Sequence, residues 1–186
     1  MGKIIAGINM TLDGFCDHTY GIADDELHQH YSELLRSAGT ILYGRITYQL
    51  MEYWPPIAKN PTGNQAIDEF AVIMDNTPKI VFSRTLKKTD WESARVATRS
   101  FEDEVLALKQ QSDNDILVGS PSLIVAAREL NLVDEYQLCV HPIIAGKGLR
   151  LFNDIGNTTF LKLVKTKTFG SGAIVLYYEP AKDTAE

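Results

Sequence analysis

The sequence lacks the residues that disulfide-bonded and zinc-binding proteins need. Its 186 residues include only two cysteines, Cys16 and Cys139, which lie far apart and form no CxxC pair. A disulfide framework or a metal cluster is therefore disfavoured, and such isolated cysteines fit a reducing cytoplasm. The chain also has no HExxH motif and no HxE…PCxxC signature, which excludes a zinc-dependent deaminase module.

Clustered positive charge and long apolar runs are absent as well. The net charge is −6, and no run of lysine or arginine exceeds two residues. Nucleic acids and anionic membranes bind clustered cations, so neither is expected as a partner. The N-terminal apolar run ends after about five residues, too few for a signal-peptide core or a membrane span. We expect a soluble protein whose partner is a small molecule.

What the chain does contain is 45% apolar residues, enough for one sizeable core, so we expect a single domain over residues 1–186. Apolar runs of strand length alternate with helical patterns through the first two-thirds, and strands fill the last third. This order predicts an α/β fold with one mixed sheet, flanking helices and a C-terminal antiparallel hairpin. The predicted strands are residues 3–9, 40–43, 79–82, 94–98, 115–118, a segment from 135, 158–169 and 173–180.

Helices are predicted where apolar residues recur at helical spacing. They cover residues 24–38, 47–53 and 100–111, and a further helix begins at Pro121 with Ser120 as its N-cap. Residues 54–63 are predicted to form a loop. His28 and His30 are two apart on the first helix and cannot chelate one metal, so we expect both on the surface.

Two strand-to-helix junctions carry the residues of an anion site. At Gly44-Arg45-Ile46-Thr47 and at Gly119-Ser120-Pro121-Ser122, a buried strand ends in glycine and a helix begins. A helix N-terminus presents free N–H groups, and glycine lets a ligand approach the backbone. Ligands of open α/β sheets collect at the carboxyl ends of strands, where both junctions lie. The alternative is ordinary turn chemistry, since neither segment matches GxGxxG or the Walker pattern.

Two further segments follow predicted strands. Ser83 and Arg84 end one of them, and the donor fork of arginine suits a phosphate monoester. A solvated loop arginine is the alternative. Thr11, Asp13 and Gly14 leave the first strand and form either a simple turn or a loop over a bound ligand.

Three larger side chains have two interpretations each. His141, before Pro142, is either a polar group in a cleft or a hydrogen-bonded structural histidine. Tyr48 and Trp54 either belong to the core or form the floor under a flat ring. No serine-histidine-acid arrangement can be assembled from the spacing.

Five motifs in order give the chain a family resemblance. They are INMTLDGF, ILYGRITYQ, KIVFSRTL, the stretch ILVGSPSL…ELNLVDEYQLCVHPIIAGKGLRLF and the closing hairpin. Together they resemble the dihydrofolate reductase-like superfamily, and within it the stand-alone relatives of the reductase domain of the riboflavin-biosynthesis deaminase-reductase. The likeness runs from about Lys3 to Tyr178. It implies NADPH binding on a central mixed sheet of about eight strands.

The resemblance assigns three groups of residues to NADPH. Gly44, Arg45 and Thr47 correspond to the segment that meets the cofactor's phosphates. Ser83 and Arg84 fall where the family holds the adenosine ribose and its 2′-phosphate. The other cofactor residues are Gly119, Ser120, Ser122 and Leu123 at the diphosphate and nicotinamide, with Ala6, Gly7 and Gly14 around the nicotinamide.

The resemblance also outlines a substrate site. Asp13 is the candidate polar group near the reacting centre, and Lys147 and Arg150 are candidates for a substrate phosphate, with solvated surface cations as the alternative. The substrate-binding candidates are Asn9, Thr11, Tyr48, Trp54, His141, Lys147 and Arg150. The first helix lacks the pterin-binding carboxylate at the place where true dihydrofolate reductases carry it.

We therefore expect an NADPH-dependent reductase similar to 5-amino-6-(5-phosphoribosylamino)uracil reductase, with hydride passing to an electrophilic carbon such as an imine. Two alternatives stay open. One is a reductase of the same fold that acts on a pterin or a small carbonyl compound, and the other is a non-catalytic nucleotide-binding protein. Relatives are often dimeric, and the antiparallel end of the sheet could support a homodimer.

Overall fold

The computed structural model describes residues 2–111, 113–153 and 155–181. The strands within them are β1 (Ile4–Thr11), β2 (Ala38–Gly44), β3 (Lys79–Phe82), β4 (Ala94–Val96), β5 (Asp115–Val118), β6 (Glu135–His141), β7 (Leu161–Thr168) and β8 (Ile174–Pro180). They form one sheet in the order β4-β3-β2-β5-β1-β6-β8-β7. Neighbours from β4 to β6 are parallel, and β8 pairs antiparallel with β6 and β7. The predicted mixed sheet and terminal hairpin are confirmed.

Helices flank this sheet. They are α1 (Asp25–Ser37), α2 (Arg45–Met51), α3 (Trp54–Lys59), α4 (Gln65–Asn76), α5 (Phe101–Gln111) and α6 (Pro121–Glu129). The loop predicted over 54–63 is wrong for its first six residues, because Pro55 and Pro56 lie in the first turn of α3, where a missing N–H breaks no helical bond. Helix α4 was not predicted. In the described part of the chain, no helix is long and apolar enough to cross a membrane.

Helix α1 buries a residue that its sequence places at the surface. Asp24 caps the helix by accepting a hydrogen bond from the backbone N–H of Leu27 at 2.8 Å. His30 is only 5% exposed, with its ring centroid 5.6 Å from that of Phe169 and 6.4 Å from that of Tyr177. The prediction of a surface His30 is therefore wrong, because this side of α1 packs against β6 and β8.

The strand register sets where the functional residues meet. Gly44 lies opposite Phe82 across β2 and β3, and Thr11 lies opposite His141 across β1 and β6. Because all neighbours from β4 to β6 are parallel, their carboxyl ends emerge at the same edge of the sheet. Every predicted junction therefore opens on one side of the molecule.

Candidate functional site

The carboxyl edge of the sheet brings the predicted site segments into one row. In strand order, the row holds Ser83 after β3, Gly44 at the end of β2, Gly119 after β5, Thr11 at the end of β1 and His141 at the end of β6. This edge is where ligands of open α/β sheets collect. Segments that are far apart in the sequence are thus neighbours in space.

The two glycine junctions are hydrogen-bonded to each other. The backbone N–H of Gly44 donates to the Ser120 hydroxyl at 2.8 Å, and the N–H of Gly119 donates to the Leu42 carbonyl at 3.2 Å. A Cβ on Gly44 would lie 3.5 Å from Ser122 Oγ and 3.7 Å from Ser120 Oγ. The space that this Cβ would fill is therefore lined by the hydroxyl groups of Ser120 and Ser122 and by the backbone of Gly44 itself.

The two glycines serve different purposes. A Cβ on Gly119 would lie 2.9 Å from Cε1 of the buried Tyr43 ring, so core packing requires glycine there. Gly44 has φ −75° and ψ 162°, a conformation open to any residue, and its surroundings would accept a Cβ at ordinary contact distances. Folding therefore does not require glycine at position 44, but a ligand that approaches the backbone closely would require it.

Arg45 supplies the charge at this junction. Its side chain is exposed, and its Nη1 donates to the Gln49 side chain at 3.1 Å. Helix α2 has only seven residues, so the guanidinium rather than a helix dipole provides the positive charge. Thr47 is half-buried and Ser122 is exposed, whereas Leu123 packs in the core.

A cleft of about 520 Å³ lies beside the ends of β3 and β4. Ser83 shapes its rim, because its hydroxyl accepts hydrogen bonds from the N–H groups of Thr85 at 3.1 Å and Leu86 at 2.9 Å. The turn leaves Arg84 exposed. The cationic side chains that line the cleft are Arg84, Lys87, Lys88 and Arg95. Lys88 pairs with Asp90 at 3.5 Å and Arg95 pairs with Glu104, whereas Arg84 and Lys87 form no ion pair within the described residues, so these two provide the uncompensated positive charge of the cleft.

Sequence reasoning finds only one of these four cations. Lys87 and Lys88 closely follow the VFSRT motif, so their proximity to Arg84 was a usable signal. No such signal in the sequence indicates Arg95, because its position beside the cleft depends on the pairing of β4 with β3. It forms an ion pair with Oε1 of the buried Glu104 carboxylate, whose Oε2 has no hydrogen-bond partner among the described residues.

Asp13 is held as an anion by three hydrogen bonds. Its carboxylate accepts from the Thr11 hydroxyl at 2.6 Å and from the backbone N–H groups of Ala145 at 3.0 Å and Gly146 at 2.7 Å. The Thr11 bond, followed by those two backbone bonds, lowers the pKa of Asp13 to about 2. Such a carboxylate does not donate a proton at neutral pH. It anchors the loop after β6 to the loop after β1.

These two loops, residues 11–17 and 142–151, form what we call the two-loop unit. Further backbone hydrogen bonds join Leu12 to Ile143 at 2.8 Å, Cys16 to Leu149 at 2.8 Å and Leu151 to Gly14 at 3.1 Å. The exposed Lys147 and Arg150 both lie on this unit, and the Arg150 guanidinium stacks over the Phe15 ring at 4.5 Å. The unit thus holds two cations beside the ends of β1 and β6.

His141 lies behind this surface. It is fully buried; the N–H of Ile22 donates to its Nδ1 at 3.1 Å, and its Nε2 is hydrogen-bonded to Asn9 Oδ1 at 3.0 Å. Asn9 is half-buried. Of these two candidates, only Asn9 has a surface that a ligand can reach.

Four other candidates lie in or against the core. Tyr48 is 1% exposed, and Trp54 packs its ring 4.6 Å from the Phe70 ring centroid. Ala6 and Gly7 are buried in the middle of β1. Among the described residues, no group of three or more His, Cys, Asp or Glu side chains is placed to hold a metal ion.

Comparison with known proteins agrees with this architecture. The family model described as the RibD C-terminal domain matches residues 2–175. YyaP of Bacillus subtilis, which is uncharacterized, is 34% identical over 180 residues, covering 95% of this chain and 94% of YyaP.

Solved structures share the fold at low identity. A pyrimidine reductase-like protein from Corynebacterium diphtheriae is similar with a TM-score of 0.68 and 18% identity, over 98% of this chain and 93% of that one. The diaminohydroxyphosphoribosylaminopyrimidine deaminase/5-amino-6-(5-phosphoribosylamino)uracil reductase from Thermotoga maritima is similar with a TM-score of 0.65 and 18% identity, over 97% of this chain and 57% of that one. These likenesses show the fold, and the family-model match over residues 2–175 shows that the chain belongs to the RibD C-terminal domain family.

Proposed function

We propose that this protein is an NADPH-dependent reductase that acts on a substrate like 5-amino-6-(5-phosphoribosylamino)uracil. Membership of the RibD C-terminal domain family supports a reductase, and the Thermotoga relative is named for this reaction. The observation that carries the proposal is the row of junctions along the carboxyl edge, which ends in a cleft lined by four cations. A cytoplasmic location and a homodimer remain predictions.

The described residues fit a dinucleotide that carries an extra phosphate. Arg84, Lys87 and Lys88 would hold the 2′-phosphate in the cationic cleft, where charge-assisted hydrogen bonds are strong. The space beside Gly44 and the exposed Ser122 hydroxyl would hold the diphosphate, while the buried Ser120 hydroxyl accepts a hydrogen bond from the Gly44 N–H behind it. When bound, NADPH supplies the hydride for the reduction.

The chain's own residues would position the substrate. Lys147 and Arg150, both exposed on the two-loop unit, would bind a substrate phosphate beside the end of β1. Asp13 fixes the geometry of this unit rather than transferring a proton, because its three hydrogen bonds keep it ionised. Positioning of this kind can supply much of the rate enhancement of a hydride transfer.

A second substrate class is favoured by one feature of the same unit. Leu12, Ile144 and Leu149 expose 65%, 75% and 55% of their surfaces beside Lys147. These side chains would bury apolar surface on a less polar substrate, such as a small carbonyl compound. Reduction of such a compound by the same site is therefore the alternative function.

Turnover assays distinguish these functional hypotheses. NADPH oxidation with 5-amino-6-(5-phosphoribosylamino)uracil, and rescue of a strain that lacks the riboflavin-pathway reductase, are expected of the proposed enzyme. Binding of NADPH without rescue, but with turnover of small carbonyl compounds, would favour the alternative. Binding without turnover of either class would indicate a non-catalytic nucleotide-binding protein.

A further inference from the structure

The hydrogen bonds of His141 determine where its proton lies. A backbone N–H can only donate, so the Nδ1 atom that faces the N–H of Ile22 at 3.1 Å must be unprotonated. A neutral imidazole carries one proton, which therefore sits on Nε2. That Nε2–H donates to Asn9, so the Asn9 atom at 3.0 Å must be the acceptor Oδ1.

This chain of bonds fixes the direction of the Asn9 amide. With Oδ1 turned towards His141, the Nδ2 group points away from it and keeps two N–H donors. Within the ranges that the structure describes, no residue accepts a hydrogen bond from Asn9 Nδ2. Asn9 is half-buried and lies two residues before the end of β1, at the edge where the ligand site is proposed.

The same histidine ties down the segment that precedes α1. It accepts a hydrogen bond from the backbone N–H of Ile22, and the ring also lies near Gly21, where a Cβ would be 3.9 Å from Cε1 and Nε2. The Cys139 Sγ lies 3.8 Å from Nε2, and the Asp24 carboxylate, at the start of α1, interacts electrostatically with the ring. Burial lowers the pKa of His141 and favours the neutral form, against the opposing effect of Asp24.

We propose that His141 is a positioning residue, which orients Asn9 so that its amide N–H groups donate to a carbonyl oxygen or ring nitrogen of the substrate. This proposal rests on the proposed function. A substrate whose pyrimidine ring carries such an acceptor is matched by this donor. His141 itself touches neither substrate nor cofactor, because it is fully buried.

The tautomer can be read without any ligand. Nitrogen-15 NMR of the imidazole groups in the free protein is expected to show His141 as the Nε2–H tautomer at neutral pH. Asn9→Asp places a carboxylate against Nε2–H and is expected to raise the pKa of His141, so that the ring titrates at a higher pH than in the wild type. An Nδ1–H tautomer, or a titration unchanged by Asn9→Asp, would overturn the proposal.

Conservative and disruptive variants separate positioning from general stability. His141→Gln can still accept from Ile22 and donate to Asn9, whereas His141→Leu can do neither. We expect the Ile22 amide to exchange about tenfold faster in H141L than in H141Q, the equivalent of one lost hydrogen bond. Equal exchange in the two folded variants would contradict a stabilising hydrogen bond from the Ile22 N–H to His141.

A kinetic test addresses the donor itself. With NADPH and 5-amino-6-(5-phosphoribosylamino)uracil, Asn9→Ala is expected to lower kcat/KM for the substrate about tenfold while leaving the Kd for NADPH unchanged. H141L should lower kcat/KM as much as Asn9→Ala does, whereas H141Q should retain most of the wild-type kcat/KM. An Asn9→Ala enzyme with normal kcat/KM would refute the role of the amide, whereas a wild type without turnover would refute the proposed function and leave the NMR result to judge His141.

Discussion

Alanine substitutions at Gly44 and Gly119 should have opposite effects, although both glycines end a strand at the same site. At Gly44 the backbone angles suit any residue, and the new Cβ would lie 3.5 to 3.8 Å from the Ser122 and Ser120 side chains. G44A should therefore fold normally, with a free energy of unfolding raised by about 0.4–1 kcal/mol because the unfolded chain loses freedom. At Gly119 the Cβ would meet the buried Tyr43 ring at 2.9 Å, and G119A should lose about 1–3 kcal/mol of stability.

Binding should separate the two variants in the other direction. The Cβ of G44A would fill the space beside the exposed Ser122 hydroxyl, which we assign to the cofactor's diphosphate. We expect the Kd for NADPH to rise at least about tenfold, or about 1.4 kcal/mol, in a protein that remains as stable as the wild type. Urea unfolding and isothermal titration calorimetry on the same preparations measure both quantities. Wild-type affinity in G44A would refute the assignment of the space beside Gly44 to the diphosphate, and destabilisation of G44A to the level of G119A would refute the packing argument.

Two further variants test features that surround the site. Burial, followed by repulsion from Lys167, lowers the pKa of His30 to about 4. As the pH falls from 6.5 towards 4, the unfolded state therefore binds more protons than the folded state, and the free energy of unfolding decreases in that window. Between pH 7 and pH 5 the wild type should lose about 2 kcal/mol more than His30→Phe in urea unfolding, and parallel losses would contradict the assignment. Asp13→Asn removes the charge that binds two backbone N–H groups, so hydrogen exchange at Ala145 and Gly146 should accelerate while α1 stays protected; unchanged exchange would show that the carboxylate does not hold the two-loop unit.

Local patterns in the sequence predicted the parts of the fold that depend on short-range order. The buried runs at 79–82 and 115–118 became β3 and β5 with the same bounds, because apolar runs of that length specify buried parallel strands. Helix α3 was missed because its prolines look like loop residues unless they fall in a first turn. His30 lies three residues after Leu27 and four before Leu34, so the helical spacing places it on the apolar face of α1, and its polar side chain was the reason that its burial was missed.

The candidate site was predictable in part for the same reason. Gly44, Ser83 and Gly119 could be placed together because parallel strands end at one edge, which needs only the strand order. Arg95 could not, since it enters the cleft through the β3–β4 pairing. The anchoring role of Asp13 could not be predicted either, because its partners Ala145 and Gly146 follow a different strand.

If the cationic cleft selects a dinucleotide with a 2′-phosphate, NADPH and NADH should differ in how far they raise the temperature of thermal unfolding. At a hundredfold excess over its Kd, NADPH should stabilise the protein by about 2.7 kcal/mol and raise Tm by about 5–10 °C, with a smaller rise for NADH at the same concentration. Arg84→Ala should remove about 1.5–3 kcal/mol of NADPH binding and leave NADH unaffected, whereas Lys162→Ala, an exposed cation on β7, should change neither. Equal shifts with both nucleotides, or no shift with either, would contradict the account.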